Sequence, residues 1–304
     1  MKNLRATLLM SILVLAGAAA QAAEHTPPPF DAKIDVPPES FMNMFGAKGS
    51  PDRPRAYLPN AAERQQIAHA VSLMPPLQQR ALREHLFALS FADGMPNNAL
   101  TYPSPGHPGM LNITLRAGLL HETVSQLITH KEAACFAGTN ASDHVAVDVG
   151  QLPAVIYILL HESTHVADSA YHLTPKDVGK GVQPTPFSDG LWLDRNHLAD
   201  AYAKPALQVA CYHPHGYAAT IAQAQAVYQA LSATPLPSLY ASAAAPEDLA
   251  ETVAFANLTQ VFHQTYVIRV YHAGREVYAY RPMDNALVQA QVRRLPEGAM
   301  AAQQ

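Results

Sequence analysis

The chain has 304 residues, of which 49% are hydrophobic and only 14% are charged. This composition excludes a disordered chain, because disorder requires low hydrophobicity and a high net charge. The formal net charge of −4 argues against nucleic acid or an anionic membrane surface as a partner.

The first 22 residues have the organisation of an export signal. Lys2 and Arg5 precede an apolar run, Ala6 to Ala19, which is followed by Ala20-Gln21-Ala22 and so fits the small-x-small rule for cleavage. A membrane anchor is the alternative, but a spanning helix needs roughly 20 apolar residues and this run is shorter. We therefore expect a signal peptide at 1–22 and an exported chain, periplasmic or secreted, with no membrane span after its removal.

Export bears on the two cysteines of the chain. Cys135 and Cys211 would reach a compartment in which disulfides persist, and two cysteines allow one intramolecular bridge. Two separate buried thiols are the alternative, and the sequence does not decide between them.

The segment 23–60 is predicted to be a proline-rich leader. Five prolines lie between Thr26 and Glu39, a composition that favours an extended, polyproline-like arm. The remainder, 61–304, contains no internal repeat and no strong boundary. It is predicted to form a single α+β domain with a small mixed sheet.

The predicted helices and strands follow from the spacing of apolar residues and from turn signals. Helices are expected at 61–89 (divided at Pro75 and Pro76), 119–130, from Pro153 onwards, 217–231 and 246–262. Strands are expected at 111–116 (half-buried), 145–149, 266–271 and 276–280, the last two as a C-terminal hairpin, and Thr174 to Gly190 is expected to be a long loop.

The helix that begins at Pro153 carries the pattern H-E-x-x-H. Its first turns, 155–160, are apolar on every side, which predicts a buried helix. Residues four apart share one helix face, so His161 and His165 can reach one ion, while Glu162 lies beside it. Polar groups on an apolar helix need partners, and the 15 histidines of the chain also favour metal or acid–base chemistry.

A catalytic zinc site needs a third protein ligand, and three candidates compete for that role. The metzincin spacing requires glycine and histidine where this chain has Asp168 and Tyr171, with His172 one place too late. A second possibility is an acidic ligand near Trp192. Its candidates are Asp189, Asp194 and Asp200.

The third candidate is Glu247, which precedes Glu251 by one helical turn. One of these carboxylates can bind the metal while the other accepts the free N–H of a ligand histidine. Acidic residues in a first helical turn also complement the helix dipole, but that role does not account for Glu251 further along. Glu247 is therefore the preferred third ligand.

With these residues the sequence resembles the gluzincin zinc metallopeptidases, and among them the family of the anthrax lethal factor catalytic domain. The resemblance rests on H-E-x-x-H-x-x-D, on a tyrosine seven residues before the ligand glutamate, and on E-x-x-A-E. It implies a zincin-like fold and one zinc ion held by His161, His165 and Glu247. It further implies that Glu162 is the general base, that Tyr240 supports the oxyanion, and that Glu251 supports a ligand histidine. Asp168 is expected to be a structural hydrogen-bond partner in the helix.

The expected function is that of an exported zinc metalloendopeptidase, which hydrolyses a peptide or protein substrate by means of a zinc-activated water. The substrate is expected to dock along a sheet edge, at 111–116 or 145–149. One alternative is a non-catalytic periplasmic protein that keeps the metal site for stability or partner binding. Another is a zinc-sequestering protein, suggested by His213 and His215 near Cys211.

Overall fold

The computed structural model describes residues 30–208, 211–212 and 219–302. The predicted signal peptide, the two histidines His213 and His215, and the start of the helix expected at 217 lie outside these residues. The described chain is a mixed α+β structure with several small sheets, as predicted.

The helices of the described chain, in order, are α1 (Glu39–Asn43), α2 (Ala61–Ser72), α3 (Pro76–His85), α4 (Val124–Ala133), α5 (Ala154–Tyr171), α6 (Pro205–Gln208), α7 (Ala224–Ser232), α8 (Ala245–Ala256) and α9 (Ala286–Val292). The strands are β1 (Arg55–Tyr57), β2 (Leu86–Asp93), β3 (Ala99–Pro103), β4 (Leu111–Arg116), β5 (Phe136–Ala137), β6 (His144–Asp148), β7 (Ala219–Thr220), β8 (Val267–His272) and β9 (Arg275–Tyr280).

Helix α5 is the central buried helix, as its all-round apolar start predicts. Residues 155–160 are at most 4% exposed, and the helix packs against α3, α4 and α8. Each fully buried aliphatic side chain of this kind contributes about 1.5–3 kcal/mol of transfer free energy. The helix ends where His172 adopts a left-handed conformation (φ 57°) and donates its N–H to the Asp168 carbonyl. This burial fixes α5 as the platform for the side chains on its last turns.

Helices α2 and α4 begin at capping residues that are recognisable in the sequence. Asn60 caps α2 and exchanges hydrogen bonds with Glu63, and Thr123 caps α4 in the same way with Gln126. Each of these capping boxes satisfies backbone N–H groups that the helix itself leaves unpaired. The helix expected at 246–262 is observed as α8, which continues as a π-helical stretch, Asn257–Val261.

The four-stranded sheet lies beside α5 in the order β1-β2-β4-β3. Strands β2 and β4 are parallel, while β1 and β3 pair antiparallel with their neighbours, so the sheet is mixed. The other sheets are the pair β5-β7 and the sheet β6-β8-β9, of which β8 and β9 form the predicted hairpin. The free edge of the four-stranded sheet nearest to α5 is therefore β3, which the sequence did not predict.

Three sequence expectations about this sheet are wrong. The second helix of 61–89 ends at His85, and β2 follows at once, because its apolar side chains are buried in the sheet. Strand β4 is central and so is not a docking edge. Nor is β4 half-buried: Thr114 lies on its polar face, yet it is fully buried and hydrogen-bonded to Ser90 (2.7 Å) and Tyr102 (2.9 Å).

The described part of the leader is packed rather than extended. Helix α1 buries Phe41 and Met42 against Ala92 and Met95, and β1 adds an antiparallel strand to β2. The physical reason is that the prolines flank apolar residues that find partners on the sheet. No helix within the described residues has both the length and the apolar character that crossing a membrane requires.

Candidate metal centre

Helix α5 and helix α8 bring together three side chains with metal-ligand chemistry. His161 and His165 project from one face of α5, and Glu247 projects from the first turn of α8, which packs against it. Nε2 of His161 lies 3.1 Å from Nε2 of His165 and 3.1 Å from Oε2 of Glu247. Nε2 of His165 lies 3.2 Å from the same Glu247 oxygen. We call these three residues the metal triangle.

The metal triangle fits a metal ion. Ligand atoms bonded at about 2.0–2.1 Å to a tetrahedral ion lie roughly 3.3 Å from one another, close to the distances observed here. Two imidazoles and a carboxylate are also an ordinary donor set for a catalytic site. Among the residues that the structure describes, this is the one group of three or more such side chains that could hold an ion.

The residues of the metal triangle shift one another's pKa because they lie so close together. Burial alone would raise the pKa of Glu247, but the adjacent His165 and His161 hold it well below its usual range. Burial would lower the pKa of His161, whereas Glu247 and Glu251 raise it to about 9. The carboxylate of Glu247 and the two imidazoles therefore shift one another's pKa in opposite directions.

Behind His161 lies a second group of polar side chains, which we call the rear cluster: Glu251, Lys131, Tyr157 and Ser238. Nδ1 of His161 lies 2.9 Å from Oε1 of Glu251, within ion-pair distance, although the angle there is not that of a hydrogen bond. Glu251, 1% exposed, also accepts hydrogen bonds from the Ser238 hydroxyl (2.6 Å) and the Tyr157 hydroxyl, and Lys131 Nζ lies 3.3 Å away.

The rear cluster keeps Glu251 ionised. Burial opposes its charge, but Lys131 and His161 lower the pKa of Glu251 to about 2. An ionised carboxylate at Nδ1 fixes the orientation of the His161 imidazole, so that its Nε2 faces His165 and Glu247. Glu251 therefore lies beside His161, a candidate ligand, on the side away from Glu247.

Glu162, the predicted general base, lies at the front of α5 between the helix and β3. Its Oε2 accepts a hydrogen bond from the Thr101 hydroxyl at 2.6 Å. Two cavities, of about 500 and 430 Å³, adjoin at this point, and both are lined by Glu162, Tyr240, Ala99 and Leu100. The result is a cleft that runs along β3 past the metal triangle.

Tyr240 lies in a short turn, Tyr240–Ser242, just before α8. Its ring stacks on His161, with centroids 5.6 Å apart and an 18° angle between planes, and Lys131 Nζ lies 4.5 Å from its centroid. Burial, together with the carboxylates of Glu247 and Glu162, raises the pKa of Tyr240. The hydroxyl therefore remains protonated at neutral pH and can act as a hydrogen-bond donor in the cleft.

Asp168 ties α5 to the following loop. Its two oxygens accept hydrogen bonds from the backbone N–H and the hydroxyl of Thr174, each at 2.7 Å. It is not part of the metal triangle, and neither are the alternative ligands considered above. His172 is exposed beyond the helix end, Asp189 and Asp200 are exposed, and the buried Asp194 caps a turn.

Cys135 and Cys211 are joined in the structure by a disulfide with sulfurs 2.11 Å apart. The bond anchors Tyr212, whose hydroxyl donates to the Lys131 carbonyl (3.0 Å) and whose ring lies 4.7 Å from that of Tyr240. The disulfide thus holds an aromatic side chain against the predicted oxyanion donor.

Several residues of the centre were not predicted from the sequence. Tyr157 lies one helical turn before His161, so the same four-residue spacing that pairs the histidines would have placed it on their face. Strand β3, which carries Thr101, has β-forming residues between turn signals and was also recognisable. Lys131 and Ser238 gave no such signal, because only the tertiary packing brings them to Glu251.

Searches with this chain find no matching family model, no matching curated protein and no matching solved structure.

Proposed function

We propose that this protein is a zinc-dependent peptidase of the gluzincin type. The observation that carries the proposal is the metal triangle with Glu162 beside it in an open cleft. Zinc, when bound by His161, His165 and Glu247, would supply Lewis acidity that polarises a carbonyl group and acidifies water. The resemblance to the lethal factor catalytic domain, based on the same residues, supports this reading.

The roles of the cleft residues follow from their contacts. Thr101 occupies one oxygen of Glu162, so the other oxygen is available to accept a proton from the attacking water and to deliver it to the leaving amine. Tyr240 keeps its proton and donates to the oxygen on which negative charge develops. His161 stays oriented because Glu251 lies at its Nδ1.

The substrate would bind along β3. This strand pairs with β4 on one side only, and its residues line both cavities. An extended peptide can add to such an edge through main-chain hydrogen bonds while its side chains enter the cleft. Of the edges expected from the sequence, β6 lies in the other sheet and does not line these cavities.

The proposal is tested by Glu162→Gln, which removes the base but none of the metal triangle. We expect wild type and variant to hold about one zinc per chain by elemental analysis, whereas cleavage of a peptide library, followed by mass spectrometry, falls about 10²- to 10⁴-fold. Glu297→Gln, an exposed glutamate away from the cleft, is the matched control and should cleave normally.

Each outcome has a definite reading. Equal cleavage by wild type and Glu162→Gln would exclude Glu162 as the base. A purified protein without bound metal would exclude the metal site. Zinc with no cleavage by the wild type would favour a non-catalytic metal-binding protein.

We further propose that the protein acts outside the cytoplasm. The Lys2-Arg5 start with its apolar run supports export, and the Cys135–Cys211 bond is of the kind that persists in oxidising compartments. Intact-mass analysis of the exported chain should give a start at Ala23 or Glu24. Recovery of the full-length chain from the membrane fraction would contradict this prediction.

A further inference from the structure

Two positively charged side chains line the larger cavity of the cleft. Lys176 and Arg195 share its wall with His165 and Glu247. Both come from the irregular segment between α5 and α6, in which Lys176 lies within the loop predicted at 174–190 and Arg195 lies just beyond it. They stand out because the whole chain is acidic, with a net charge of −4.

Neither side chain is neutralised within the described part of the protein. Arg195 is half-buried, and its guanidinium has no hydrogen bond or ion pair there. Lys176 Nζ approaches only Nε2 of His172, at 3.3 Å, and makes no ion pair with a described carboxylate. The guanidinium has five donors that no described side chain or carbonyl accepts, so this wall can bind an anionic group.

The acidic side chains of the same cavity have contacts other than the basic wall. Glu247 belongs to the metal triangle, Glu162 accepts from Thr101, and Asp168 accepts twice from Thr174. None of them forms an ion pair with Arg195 or Lys176. The basic wall is therefore available to a ligand in the cleft.

The backbone of Arg195 is held rigidly. The neighbouring Asp194, 4% exposed, accepts the N–H groups of Asn196 (2.8 Å), His197 (2.9 Å) and Gly179 (2.8 Å). These bonds hold the pKa of Asp194 at about 2 despite the opposing effect of burial, so its carboxylate stays charged.

Two further backbone bonds fix Arg195 relative to the centre. Its N–H donates to the Asp177 carbonyl (3.0 Å), which places Lys176 and Arg195 on one wall. Its carbonyl accepts from the N–H of Ala245 (2.8 Å), two residues before Glu247. Because the backbone is fixed before binding, only the rotamers of the Arg195 side chain remain to be ordered when a ligand binds.

We propose that Arg195 and Lys176 form a subsite for a carboxylate of the bound peptide. The proposal rests on the proposed function, because it takes a peptide in the cleft as given. The planar guanidinium matches a carboxylate with two parallel hydrogen bonds, while Lys176 adds a point charge. The carboxylate can come from an acidic side chain or from the C-terminus of the peptide, and the two sources share this chemistry.

The test measures peptide binding to zinc-loaded Glu162→Gln protein, so that the peptide stays intact. Fluorescence anisotropy compares peptides that differ only by glutamate or glutamine at each position, and by a free or an amidated C-terminus. We expect at least one carboxylate to improve binding about tenfold, the size of a charge-assisted hydrogen bond.

Variants of the wall assign the effect. In the Glu162→Gln background, Arg195→Gln should make the affinities for the charged and the neutral peptide nearly equal. Arg195→Lys should keep part of the carboxylate preference, because the charge remains and the fork is lost. Lys176→Gln should reduce it less. Arg293→Gln, an exposed arginine far along the chain, is the control and should keep the full preference.

The outcomes separate this proposal from the proposed function. A preference for the acidic side chain or for the free C-terminus that is lost in Arg195→Gln supports the subsite and names the source. Equal binding of charged and neutral peptides, or a preference unchanged in Arg195→Gln and Lys176→Gln, overturns it even if the wild type cleaves peptides. Absence of binding by any peptide overturns it as well. An Arg195-dependent preference without cleavage by the wild type would leave the subsite standing and reject the peptidase.

Discussion

The imidazole of His161 separates two regions that contain the same kinds of side chain. On its front are the Glu247 carboxylate, the Glu162–Thr101 pair and Tyr240; on its rear are Glu251 with Ser238, Tyr157 and Lys131. The front and rear carboxylates, Glu247 and Glu251, are one helical turn apart, yet their side chains are 20% and 1% exposed.

The difference lies in how each region satisfies its charge. In the rear cluster, Lys131 and two hydroxyl donors neutralise and solvate Glu251 without any outside group. At the front, the Nε2 atoms of His161 and His165 and the Glu247 carboxylate oxygen meet at 3.1–3.2 Å, and no described lysine or arginine pairs with Glu247. Residue type alone is therefore a poor guide to role here, because one carboxylate pairs with a lysine and the other pairs only with imidazoles.

The largest difference is expected between Glu247→Ala and Glu251→Ala. Loss of Glu247 removes a ligand, so the affinity for zinc should fall by more than the roughly 10- to 100-fold typical of losing a supporting residue such as Glu251. Glu251→Ala should instead lower the free energy of unfolding by about 3 kcal/mol, because it leaves the largely buried Lys131 without its carboxylate and with only the Tyr157 hydroxyl as a partner.

Competition with a chelator and denaturant unfolding measure these two quantities on the same samples. Glu251→Gln, which keeps the shape but not the charge, is the control for the side-chain volume. If Glu251→Ala releases the metal while Glu247→Ala retains it, the ligand lies one turn further along α8 than proposed.

The next difference is expected between the tyrosines on the two sides. Tyr240→Phe removes the proposed oxyanion donor, so kcat should fall about 10²- to 10³-fold while zinc content and KM change little. Tyr157→Phe should leave kcat nearly unchanged and reduce the free energy of unfolding by about 1.5–3 kcal/mol, the cost of a hydrogen bond to a charged group. A Tyr240→Phe protein with normal kcat would reduce that residue to a packing role.

The smallest difference is expected between the two hydroxyl donors. Thr101→Val removes the hydrogen bond that holds the Glu162 carboxylate, so kcat should fall about tenfold at unchanged KM. Thr101→Ser keeps the hydroxyl and should keep kcat close to that of the wild type. Ser238→Ala should affect stability instead, by about 1.5–3 kcal/mol, because its partner Glu251 is buried and charged. Equal effects of both substitutions on kcat would contradict the division into front and rear.

The sequence predicted those parts of the structure that depend on local spacing. The four-residue interval places His161 and His165 on one face of α5, and the apolar run before them predicts its burial. The hairpin was predicted from its turn, in which Ala273 (φ 49°) and Gly274 (φ 74°) both adopt left-handed conformations.

The sequence failed where distant segments decide the outcome. Residues 86–93 are mostly apolar with spacing that suits a helix or a strand, and their pairing with β1 and β4 makes them β2. Strand β3 is the edge of the sheet because β4 lies between it and β2, and no local signal predicts this order. The partners of Glu251 come from α4, α5 and the loop before Tyr240, so no spacing within one segment could reveal them.

The Cys135–Cys211 bond closes a loop that contains the whole of α5. The two cysteines are 76 residues apart, and closing a loop of that length restricts the unfolded chain by the equivalent of about 4.5 kcal/mol at 25 °C. In the oxidised unfolded chain, His161 and His165 stay inside this loop, while Glu247 lies beyond it. Fewer conformations are then lost when α5 forms. The redox state of a bond that contacts none of the metal triangle thus influences, through chain entropy, how readily the histidine pair is assembled.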